Sequence, residues 1–309
     1  MLTTFLAATV VAGTPLLFAI LGELITEKAG KLNLGVEGMM LLGAVSSFLA
    51  VLYTESPYFS LLAAMLAGAS GAFIFAFLTI SLRANQVVTG LALTIFGTGV
   101  SSFLGKDLMG LVVPDSVKLF FKEFKIPFLG DIPVIGEAFF NQGIFVYLGY
   151  LSVILVGIYL FNTRFGLYLR AIGENNSASD AAGIGITLYK YVHVLIGGAL
   201  CGLAGAYLSL VYVPSWQENV TAGRGWIAVA LVIFSKWSPY RALLGAFIFG
   251  GLDIIGFRLQ KFEIHISQYL IDMLPYLVTI IILVLASIRK SKESSPPAEL
   301  GNSYYREDR

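Results

Sequence analysis

Four polar side chains stand out by their surroundings: Glu23, Glu27, Asn33 and Glu37 interrupt a run that is otherwise aliphatic and glycine-rich. Ionisable groups are expensive at membrane depth, and those that occur there usually face a cavity or a partner. Glycines 30, 35 and 38 let the helix break in this stretch, so that freed backbone amides and carbonyls line a path. The same residues have a plainer reading, in which Glu37 caps a helix and the glycines only permit tight crossing. A second polar group, Asn85, Gln86 and Thr89, either lines the same path or holds a turn. Phe96 and Trp226 offer flat faces suited to stacking on a heterocycle, or serve packing. None of this is bond-breaking chemistry. His193 and His265 are far apart, and neither has a second His or Cys at ligand spacing, so no metal site is expected. No nucleophile–base–acid set and no cofactor motif occur, and no Gly-x-x-x-x-Gly-Lys-Ser/Thr run provides a nucleotide-binding loop. The chain reads as a non-enzyme.

The elements that hold these groups are set by composition. Of 309 residues, 57% are hydrophobic and 13% charged, with mean hydropathy +0.82. Soluble domains carry about 25% charged residues, so this is a polytopic membrane protein. A net charge of +1 gives no electrostatic case for nucleic acid. The lone Cys201 lies in an apolar run and allows no internal disulfide. Hydropathy predicts an all-α chain of about nine spans, between eight and ten, near 4–26, 35–53, 59–82, 87–104, 143–161, 189–212, 225–236, 241–257 and 269–288. The seventh is short, as a broken helix lining a cavity would be. The first span has no basic leader or clear cleavage site and reads as retained. These spans define a membrane domain over 1–288 and a C-terminal tail over 289–309.

Basic residues set the orientation. With the N-terminus outside, thirteen Lys and Arg fall on the cytoplasmic side and seven outside, Arg224, Arg258 and Lys261 among the latter. N-out/C-in follows. Arg224 then faces an outer vestibule, and Asp253 and Asp272 cap or pair near the outer ends. The chain also repeats weakly: Gly68-Ala-Ser-Gly71-Ala72-Phe73 returns as Gly202-Leu-Ala-Gly205-Ala206-Tyr207, each followed by an Ala-Leu-x-Ile-Phe run at Ala92 and Ala230. The two copies lie three spans apart and so run oppositely, as in two inverted-topology repeats with a pathway between them; chance matching of Gly/Ala-rich helices is the plain alternative.

Two loops are long enough to suggest a task. Residues 105–142, outside, interleave Lys118, Lys122, Glu123 and Lys125 with Leu119, Phe120, Phe121 and Phe124, and read as an amphipathic helix for docking a delivery protein or as a lid. Residues 162–188, inside, carry Ala178, Ala181 and Ala182 at helical spacing, with Asn176 or Ser177 as a cap and Gly183 and Gly185 as a stop. A short helix with small side chains seats in a groove of a soluble partner and passes its movement to the spans; the alternative is an ordinary connection.

The segment Arg170-Ala-Ile-Gly173-Glu174-Asn175, with Ala181-Ala182-Gly183 beyond it, resembles the coupling loop of ATP-driven (ABC) importer permeases for branched-chain amino acids, simple sugars and nucleosides. The run from Glu27 to Gly43, Asn85-Gln86-Val-Val-Thr89-Gly90, Gly223-Arg224-Gly225-Trp226, and the tail from Pro297 are most similar to the nucleoside-type branch. Gly301-Asn-Ser departs from the basic-proline form usual there. The resemblance implies a type II importer permease-like fold and a multi-pass protein of the bacterial inner membrane. It also implies a second permease subunit, a different chain in this branch; separate ATP-binding subunits; and an extracytoplasmic lipoprotein that delivers a small-molecule substrate. Arg170, Gly173, Glu174, Asn175, Ala178, Ala181, Ala182 and Gly183 would couple to the ATPase. Glu23, Asn33, Glu37, Gln86, Thr89, Phe96 and Trp226 would line the pathway, with Asn33 bonding a ribose hydroxyl or a base edge. Nucleosides lead as substrate; a simple sugar or a flavin-like heterocycle is the alternative. An ion-coupled secondary transporter acting alone, with Glu23 or Glu37 carrying the proton, is the rival from another class.

Overall fold

The computed structural model describes residues 2–261, 273–281, 284 and 295–305. The ninth predicted span, His265 and Asp272 thus lie wholly or largely outside the described residues, as do the side chains of Arg258 and Lys261.

Among the described residues, seven helices are long and apolar enough to cross a membrane. The first four are α1 (Leu2–Lys28), α2 (Val36–Thr54), α3 (Pro57–Ala76, extended by a π-helical turn Phe77–Ser81) and α4 (Gln86–Gly105). After the short α5 (Asp115–Phe120) and α6 (Ile135–Phe139) come α7 (Ile144–Asn162), α8 (Arg164–Glu174) and α9 (Asn176–Ala181). The chain continues with α10 (Ile186–Tyr207, extended by a π-helical turn Leu208–Tyr212), the short α11 (Arg224–Phe234) and α12 (Pro239–Lys261). The other three of the seven are α7, α10 and α12. Eight of the predicted spans thus correspond to helices.

α1, α2 and α10 form the buried centre, and α4 and α7 expose much of their apolar surface. Pro15 sits inside α1 and has no N–H to give the carbonyl of Val11; the Tyr207 hydroxyl donates to that carbonyl instead, at 3.0 Å. A neighbouring helix thereby satisfies the group that proline orphans, as it must where no water is at hand. The two helices that carry the sequence repeat, α3 and α10, cross closely: a Cβ on Gly68 would lie 2.8 Å from the Gly202 backbone. Small residues drive such crossings because lipid offers no hydrophobic gain for larger ones. Each of these helices ends in a five-residue π-helical turn.

Residues 105–142 form a folded cap rather than one amphipathic helix. Strands β1 (Glu123–Lys125) and β2 (Asn141–Gly143) pair antiparallel, with α6 between them. Phe121 is buried against Phe145 of α7, and Phe120 packs on Tyr58 of α3. The aromatics that would have formed the apolar face of a surface helix instead anchor the cap to the bundle. At the same end an isolated bridge joins Val112 to Ser215.

Candidate functional site

At the opposite end of the bundle the loops between α1 and α2, α3 and α4, α7 and α10, and α11 and α12 converge with the tail 295–305. The loop after α1 turns at Gly30, with φ +77°. Glu23 is fully buried; Oε1 accepts the Asn33 amide N–H at 2.9 Å, and Oε2 has no hydrogen-bond partner among the described residues. Glu27 accepts from the Trp237 indole at 2.5 Å. The Asn33 side-chain oxygen accepts the Gly35 N–H at 2.9 Å, while its amide approaches the Met39 sulfur at 3.5 Å. Gln86 links two segments, accepting from Leu32 N–H at 2.8 Å and donating to the Asn302 carbonyl at 3.2 Å. Thr89 bonds back to the Asn85 carbonyl at 2.7 Å, and Asn85 caps α4 by accepting from Val88 N–H at 3.1 Å.

Glu37 lies at the other end of this motif, against the N-terminus of α11. Its Oε1 accepts from the Thr221 hydroxyl at 2.5 Å and the Gly223 N–H at 2.8 Å, and its Oε2 from the Gly225 N–H at 2.6 Å. Orphan amides and the helix dipole favour a negative group at this position. Gly225 is required for the approach, since a Cβ there would lie 2.5 Å from the Glu37 amide nitrogen. Beside it Arg224 pairs with Asp253 at 3.3 Å and lies over the Tyr212 ring.

On the loop between α7 and α10, Asn175 caps α9 by accepting from Ala178 N–H at 2.8 Å; Asn176 and Ser179 turn inward. Ala178, Ala181, Ala182 and Gly183 are exposed, Gly183 at φ +80° ending the helix.

The family described as "Branched-chain amino acid transport system / permease component" matches residues 5–283. The chain belongs to that family. A Haloferax volcanii protein provisionally named a glucose ABC transporter permease, TsgC13, is 39% identical over 98% of this chain and 97% of its own. The guanosine ABC transporter permease NupQ of Bacillus subtilis is 37% identical over 91% of each chain. The nucleoside ABC transporter permease NupC of Lactococcus lactis is 32% identical over 92% of each. The chain is therefore a permease subunit of an ABC importer, the class the coupling-loop and Glu27–Gly43 motifs pointed to.

In this permease Glu23, Asn33, Glu37 and Gln86 are buried and engaged in links between elements, Thr89 is buried and bonds back within the first turn of its own helix, and Phe96 and Trp226 are partly exposed. Of the predicted coupling residues, Glu174, Asn175, Ala178, Ala181, Ala182 and Gly183 are exposed. Gly173 is buried and its carbonyl accepts the Glu299 N–H at 2.9 Å, and the Arg170 guanidinium lies over the Phe161 ring. The cap of α9 is Asn175 rather than Asn176 or Ser177, because α8 runs up to Glu174 and leaves Asn175 extended between the two helices. His193 is held by the Tyr159 hydroxyl and the Tyr189 carbonyl, both at 2.6 Å.

Several residues that matter to this geometry are not among the site candidates read from the sequence. Thr221 and Trp237 hold the two glutamates; Glu299 and Tyr304 tie the tail to α8 and α9; Lys31 and Lys190 are buried. The two lysines had a signal, a cation within an apolar stretch, but counting them only as topology markers hides it.

Proposed function

We propose that this permease, with a second and different permease chain, forms the translocation pathway of an ATP-driven importer for nucleosides in a bacterial inner membrane. ATP is hydrolysed by separate subunits that seat α9, and an extracytoplasmic lipoprotein delivers the solute. Residues 1–288 are the membrane domain, about nine spans in two inverted repeats with the N-terminus outside; 289–309 are a cytoplasmic tail. The crossing of α3 with α10 and their matching terminal turns support the repeat. Arg170, Gly173 and Glu174 brace the coupling segment, and Phe96 and Trp226 face the solute.

One observation carries the reading: α9 turns a face of alanines and glycine outward, at the end where the tail and four loops converge. A carrier acting alone has no use for a surface helix shaped to seat in another protein. Nucleosides are favoured by the names of two relatives that match nine-tenths of the chain. The Haloferax relative favours a simple sugar as a second reading.

Uptake into vesicles tests the class. With the ATP-binding subunits present, collapsing the proton gradient is expected to leave nucleoside uptake intact, and vanadate to stop it. The reverse pattern overturns the importer reading; intact ATP dependence with glucose but not nucleosides overturns only the substrate.

A further inference from the structure

A cavity of about 620 Å³ opens between the π-helical end of α3, the segment after α9, and the first turn of α10. Among the described residues, three cations line it, Lys31, Arg83 and Lys190, against one carboxylate, Asp180, which already accepts the Tyr304 hydroxyl at 2.9 Å. Lys31 donates to the Thr79 carbonyl at 2.9 Å, and the Arg83 guanidinium lies 4.4 Å from the Tyr305 ring centre. Lys190 is only 2% exposed, yet its ammonium has no hydrogen bond or ion pair among the described residues. Glu299 acts on it electrostatically without forming an ion pair.

The Lys190 side chain is buried apart from the cavity it lines, and an anion in that cavity would give its ammonium the partner it lacks. A second feature points the same way. Gly185 gives α10 no side-chain cap, so the amides of Ile186 and Thr187 remain available at the cavity wall. Helix N-termini with nearby Lys and Arg suit phosphate, whose several oxygens can be shared among fixed amides and cations. The cavity is larger than phosphate alone, and Leu188 on its rim is 69% exposed, leaving an apolar shoulder for whatever the phosphate carries. Burial and the neighbouring Lys190 pull the Lys31 amine down to about 7, a direction that a bound anion would reverse.

We propose that this cavity binds a phosphate group, borne by an anionic phospholipid or by a soluble phosphate ester. The position between helix ends beside the bilayer surface fits either source.

The full-length chain purified in detergent carries its own reporter. Cys201 is its one cysteine and is buried, so a maleimide dye lights up as the protein unfolds on heating. Short-chain phosphatidylglycerol and glycerol phosphate are titrated separately, against chloride at matched ionic strength. A phosphate ligand is expected to raise the unfolding temperature by several degrees at saturation. Lys190→Met and Arg83→Gln each weaken the half-maximal concentration about tenfold, as loss of one charge-assisted contact should. A response to phosphatidylglycerol alone assigns a membrane source, and a response to glycerol phosphate a soluble one. Should Lys190→Met fail to fold, Arg83→Gln, at an exposed position, carries the test. No stabilisation by either compound beyond chloride, or equal responses in wild type and in every variant that folds, overturns the proposal.

Discussion

Glu37 accepts three hydrogen bonds from one helix start, and that arrangement decides what the side chain can do. Its oxygens are taken up by Thr221, Gly223 and Gly225, all from the segment entering α11. A glutamine would turn an N–H toward one of these donors and leave it buried without an acceptor, which costs about 2 kcal/mol. Glu37→Gln is therefore expected to lower the unfolding temperature by several degrees, read from exposure of Cys201. A variant as stable as wild type would show that the carboxylate does not hold α11, and would reopen a proton-carrying role. Glu23 poses the opposite case, since one of its oxygens has no partner among the described residues. That difference is invisible in sequence: both glutamates stand in similar apolar runs, and only the approach of α11 separates them.

For whole helices the sequence was more readable. α9 was legible because a run of small residues between glycines leaves few other readings; Ala178 and Ala181 face outward with Ser177, and Ala182 is exposed just past the helix end. The cap was off by one residue because helix ends are settled by the neighbouring helix rather than by the capping residue alone. The cap over residues 105–142 was not legible, since short strands and three-residue turns leave no period to detect, and its aromatics are used 20 or more residues away. Charge on the exposed face of α9 should not disturb the bundle. Ala181→Glu is expected to abolish co-purification of the ATP-binding subunits while membrane insertion and unfolding temperature stay near wild type. Unchanged co-purification would remove the coupling role from this helix and return it to a plain connection.

Across the whole permease, two connections among the described residues tie α9 to the core, and if α9 is where the ATP-binding subunits act, movement there would pass along them. One is covalent, through α8 and α10. The other is the tail, whose Glu299 N–H reaches the Gly173 carbonyl at 2.9 Å and whose Gly301 N–H reaches the Gly30 carbonyl at 3.3 Å. Asn302 then meets Gln86, and Gln86 holds Leu32 at the start of the buried motif. The tail thus joins the end of α8 to the α1–α2 loop across more than 120 residues of sequence, a link that no local pattern announces because each half is polar and short. Bonds of this kind are worth about 1 kcal/mol each, enough to brace a loop but not to hold the fold. Truncation after Ser295 is accordingly expected to leave insertion intact and to slow ATP-driven uptake severalfold even where the ATP-binding subunits still co-purify. Uptake at the wild-type rate would mean that force passes through α8 and α10 alone, since those two helices are the connection that truncation spares.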